Sequence, residues 1–88
     1  MAKSGHITVT TAGTDVAGPD QTGAKWYLAA HPDNAGVVWV KYAAADDGFP
    51  LKAGAVAGME VEASNLNKLY FDAATDGDKI CYLRHLNF

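Results

Sequence analysis

Residues 69–83 read LYFDAATDGDKICYL, and their reading decides the fold. Before the TDGD stretch, Leu69 and Phe71 share one face of an alternating run. After it comes a second run, KICYLRHL, over residues 79–86. Successive side chains of a strand point to opposite faces, so period-two patterning in both runs predicts strands. Between them, Asp76 and Gly77 accept positive φ at low cost, which predicts a tight hairpin joining the two.

The same pattern extends through the chain. Turn-forming residues recur at short intervals: Gly13, Pro19 and Asp20, Gly23, residues 33–36, residues 46–48, Gly54, Gly58 and residues 76–77. Such punctuation separates short strands. HITVTT (residues 6–11) places Ile7 and Val9 on one face. KWYLAA (25–30) and VVWVKYA (37–43) are apolar on both faces. MEVEA (59–63) turns Glu60 and Glu62 away from Met59 and Val61, and a shorter strand fits residues 14–17. SNLNK (64–68) suits one short turn capped by Ser64 or Asn65. No stretch carries a helical apolar stripe. The expected fold is all-β: a jelly-roll-like β-sandwich or barrel of about seven or eight short antiparallel strands. It forms a single domain over residues 1–88 with a short flexible N-terminal arm, residues 1–5.

Composition narrows the function. The 88 residues are 49% apolar and 19% charged, with net charge −3, as expected of an ordered globular domain. The six lysines and Arg84 are scattered, which argues against a nucleic-acid surface. Cys81 is the single cysteine, so no intrachain disulfide forms, and stability must come from the core, a partner or self-association. No apolar run reaches membrane-spanning length, and MAKSG lacks the apolar core of a signal peptide. The expectation is a soluble chain made in the cytoplasm, with no membrane partner.

Catalytic and metal chemistry lack their usual arrangements. His6, His31 and His85 are far apart in sequence and match no metal spacing. HPDN (31–34) reads as a turn in which Asp33 and Asn34 tolerate left-handed geometry. DAATDGD (72–78) fails as a calcium loop because Leu83 stands where the bidentate glutamate is needed. Ser4 and Ser64 lie in tail and turn contexts without a nucleophile elbow. Cys81 reads as a small buried hydrophobe, with no helix N-terminus to activate it. Glu60 and Glu62 share a strand face but read as a solvated or interface face, not a catalytic pair. No enzyme activity, cofactor or metal is expected. The tryptophans and tyrosines, Trp26 and Tyr27 among them, leave open a sugar-stacking platform.

The order of several segments is informative. AGTDV (12–16) is followed by AHPDNAGVVWV (30–40), GFPLKAG (48–54), NLNKLYFDA (65–73) and GDKICYL (77–83). This succession resembles small all-β structural proteins of tailed bacteriophages across about residues 7–83. One departure is KAGAVAG after the connector, where the family pattern has glycine plus an acidic residue. The resemblance implies a jelly-roll-like virion component, a capsid decoration (cement) protein or else a tail, fibre or baseplate module. Its implied partners are itself, as a homo-oligomer such as a trimer, and the major capsid protein; its location is the capsid surface. The two-faced apolar strands agree with an outer face covered by other subunits, or with aromatics lying flat on a small domain. In GFPLKAG, Gly48 and Gly54 permit bends and Pro50 stiffens the middle, so that Phe49 and Leu51 cap the chain's own core or a neighbour. The expected contact residues are Trp39, Tyr42, Phe49, Leu51 and Phe88.

Overall fold

Alternation in sequence becomes alternation in burial. In a computed structural model describing residues 4–44, 46–53 and 58–84, eight strands follow one another: β1 (Ser4–Thr8), β2 (Val16–Ala17), β3 (Lys25–Ala30), β4 (Val38–Lys41), β5 (Phe49–Leu51), β6 (Met59–Glu62), β7 (Tyr70–Ala73) and β8 (Lys79–Arg84). One 3-10 turn, Leu66–Lys68, interrupts them, and Asn65 caps it by accepting from the Asn67 N–H.

The strands form two four-stranded antiparallel sheets, β1-β8-β3-β6 and β2-β7-β4-β5. Neither closes on itself among the described residues. The pairing is nested: the first strand with the eighth, the second with the seventh, the third with the sixth and the fourth with the fifth. Further pairs join β3 to β8 and β4 to β7. Only the β4–β5 connection stays within one sheet; every other connection crosses to the opposite sheet.

That nesting overturns the expected hairpin at TDGD. β7 and β8 lie in different sheets. Gly77 does adopt φ +84°, as an Asp-Gly turn requires, but distant segments hold the turn. The Gly77 N–H donates to the Val9 carbonyl at 2.8 Å, and the Val9 N–H donates to the Asp78 carbonyl at 2.9 Å. The Ala74 N–H donates to the Val37 carbonyl. The Asp78 carboxylate accepts from the Ala35 and Gly36 N–H groups at 3.0 and 2.9 Å. These bonds use the groups a hairpin would need and send the strands to opposite layers.

Both sheets face one core. Trp26, Leu28, Leu66, Leu69, Phe71 and Ile80 are fully buried, each contributing roughly 1.5–3 kcal/mol relative to exposure. The Trp26 Nε1–H donates to the Ala63 carbonyl, and the Tyr82 hydroxyl accepts from Gln21 Nε2, so both aromatics keep a polar partner inside.

Two further expectations change. GFPLKAG is not only a connector, because Phe49–Leu51 is β5, paired with β4. Gly48 makes the bend with φ +86°, whereas Gly54 lies outside the described residues. Ser4 and Gly5, expected within the N-terminal arm, belong to β1, opposite Leu83 and Tyr82; residues 1–3 lie outside the described residues.

Candidate functional site

Register sets the outer face of the first sheet in rows. Ser4, Leu83, Tyr27 and Glu60 are cross-strand neighbours, and the next row holds His6, Cys81 and Ala29. Tyr27 is 41% and Leu83 50% exposed, so two large apolar side chains stand side by side in water. With Ala29, Met59, Glu60 and Cys81 they line a hollow of about 390 Å³. Glu60 forms its polar rim. It accepts a hydrogen bond from Tyr27, which pushes the phenol above its ordinary pKa, with burial and the carboxylate's charge adding to the effect. The Lys25 ammonium lies 4.0 Å from Glu60.

The second row gathers side chains that lie far apart in sequence. His6, on β1, is opposite Cys81 on β8. His31 follows the end of β3, and its N–H donates to the Lys79 carbonyl at 3.1 Å. The two imidazoles meet edge to face, with centroids 4.8 Å apart. One ligand atom from each of His6, His31 and Cys81 lies within 4.8 Å of the others. This corrects the reading of scattered histidines, since spacing along the chain carries no information about cross-strand neighbours. It also corrects the reading of Cys81 as buried: the thiol is half-buried on the outer face, while Ile80 and Tyr82 point inward. Burial pushes its pKa above the ordinary value.

A second apolar surface lies where β4 and β5 approach β6. Tyr42 is 65% and Phe49 57% exposed, and both line a hollow of about 380 Å³ with Val40, Asp47, Met59 and Leu69. Two of the expected contact residues thus come together. The others separate. Leu51 is buried in the core; Phe49, two residues before it, shares the same face of β5, opposite the buried Val40, but stands exposed at the open edge of the core. Trp39 lies half-buried on the outer face of the second sheet, opposite Pro50 and Asp72. Phe88 lies outside the described residues. Tyr27 and Leu83, also exposed, were not among the expected contact residues. The available signal was Tyr27, which alternation places opposite the buried Trp26.

The outer face of the second sheet is polar instead. The Lys41 ammonium donates to Asp15 Oδ1 at 2.8 Å and lies 3.9 Å from Asp72 Oδ2. The Asp15 hydrogen bond raises the Lys41 pKa above its ordinary value; burial opposes the shift, and the charges of Asp15, Asp72 and Asp46 favour it. Asp72 belongs to β7 and Asp15 precedes β2, so this cluster joins the entry to β2 with β4 across the intervening strand. The carboxylates of residues 72–78 serve backbone groups: Asp72 accepts from the Gly13 N–H, Asp76 from Ala12 and Asp78 from residues 35 and 36.

Comparison with protein-family models, curated proteins and solved structures finds no match to this chain.

Proposed function

We propose that this chain is a non-enzymatic structural protein of a tailed-bacteriophage virion, a capsid decoration protein that docks on the head shell and stabilises it. The observation carrying this reading is the pair of exposed apolar surfaces, Tyr27 with Leu83 and Tyr42 with Phe49, whose hollows meet at Met59. A subunit that touches both its own copies and an underlying shell needs two non-equivalent contact surfaces, and large exposed apolar groups favour such contacts. The nested strand pairing supports the reading at the level of architecture. We read it as a jelly roll, a long antiparallel ribbon rolled into two sheets, an architecture used by viral capsid domains and by lectins. Many copies on a symmetric shell turn a modest affinity per contact into strong attachment.

The test adds purified, tag-free protein to head shells of its phage that lack it, and counts the copies that sediment with them. Hundreds of copies per shell are expected. A handful would move the chain to the tail or baseplate, and none would overturn a virion role.

A further inference from the structure

We propose that His6, His31 and Cys81 form a binding site for a thiophilic divalent cation of the Zn2+ class on the outer face of the first sheet. Two imidazoles and one thiolate make a donor set suited to zinc, whereas calcium and magnesium take oxygen ligands. Zinc–nitrogen bonds near 2.0 Å and zinc–sulfur bonds near 2.3 Å put tetrahedral ligand atoms about 3.3–3.6 Å apart. The ligand atoms here lie within 4.8 Å of one another, so side-chain rotations of about an ångström close the site.

The backbone beneath the site is already fixed. His6 and Cys81 are cross-strand neighbours. Asn34 clamps the loop carrying His31 by donating from Nδ2 to the Lys79 carbonyl at 2.7 Å and accepting the Lys79 N–H at 2.8 Å. The Asp78 carboxylate holds residues 35 and 36 of the same loop. Ligands on rigid elements lose little freedom on binding. Ala29, the other neighbour of Cys81, has a side chain too small to fill the space above the thiol. The Lys79 ammonium is drawn toward the Gly77 carbonyl at 3.4 Å.

Asp33 borders His31 as well. The Asp33 N–H donates to His31 Nδ1 at 3.1 Å, and the Asp33 carboxylate lies 3.9 Å from the same nitrogen. Nδ1 is thus engaged and Nε2 is left for the metal. Binding through Nε2 displaces the proton the ring carries there; a proton taken up at Nδ1 ends the bond from the Asp33 N–H and turns toward the Asp33 carboxylate instead, which then orients the ring. Three protein ligands leave a fourth position for water or for a side chain of a docking protein. The site stands whether or not the chain belongs to a virion.

The test titrates tag-free, fully reduced protein with Co2+ as a spectroscopic probe and then with Zn2+. The expected result is one ion per chain, with a thiolate-to-cobalt charge-transfer band that Zn2+ abolishes. Cys81→Ser removes the band. His6→Gln and His31→Gln each weaken Zn2+ binding at least about 10–100-fold, the range known for lesser outer-shell changes. Far-ultraviolet circular dichroism checks the fold of each variant. Zn2+ protection of Cys81 from alkylation in the unsubstituted protein gives a readout independent of the variants. Absence of the band at saturating Co2+, full affinity in Cys81→Ser, or alkylation unaffected by Zn2+ overturns the site.

Discussion

Asp78 is the buried acid among the described residues, and its surroundings explain why a charge is tolerated there. Both carboxylate oxygens accept backbone N–H groups, those of Ala35 and Gly36. Asp78→Ala leaves two donors unpaired and is expected to cost roughly 2–4 kcal/mol, read as a lower urea midpoint, with Asp78→Asn costing less. Lys41 gives a pH-dependent counterpart. Its pKa is raised in the folded state above the ordinary 10.5, chiefly by the Asp15 hydrogen bond. Its stabilisation is therefore complete below the unfolded-state value and is lost as pH rises through the folded one. Lys41→Met is expected to lower stability by about 1–2 kcal/mol from neutral pH up to the ordinary lysine range, and by less above it. Denaturant melts across alkaline pH check this; a constant difference at every pH contradicts it. The sequence marks residues 76–78 as a turn because Asp-Gly chemistry is local. It does not reveal Asp78 as an acceptor, because its partners lie 42 and 43 positions away.

Among the elements, strands were legible and their partners were not. Alternation identifies Ile7 and Val9, or Leu69 and Phe71, as inward residues from a few neighbours, and these four are buried. Pairing depends on contacts such as Ile7 with Ile80, about which local pattern is silent. The hairpin expected at TDGD fails for this reason. Gly77 keeps its predicted φ while the strands beside it separate, so Gly77→Ala is expected to cost about 1–2 kcal/mol from backbone strain alone. Asn34→Ala is expected to speed hydrogen exchange at the Lys79 amide, whose acceptor is Asn34 Oδ1; unchanged exchange would show that the clamp contributes nothing. Asn34, Asn65, Gly77 and Asp78 all hold backbone, through bonds to distant segments that local pattern does not reveal.

At the scale of the whole molecule, Phe49 and Leu51 share one face of β5, but Leu51 lies within the core and Phe49 at its exposed edge. Leu51→Ala opens the core and is expected to cost about 2–4 kcal/mol. Phe49→Ser and Tyr42→Ser, at exposed positions, are expected to change stability by less than about 0.5 kcal/mol while weakening attachment to shells. Strands apolar on both faces left open either burial against other subunits or aromatics lying flat on a small domain, and did not say which aromatics remain outside. Tyr27 does, and Trp26, its neighbour in sequence, does not. The most direct test is hydroxyl-radical footprinting of the free protein against the protein bound to head shells. Tyr42 and Phe49, or Tyr27 and Leu83, are expected to lose reactivity on the shell while Trp39 changes less. Equal reactivity of all four residues in the two states would contradict the claim that these surfaces exist to be covered.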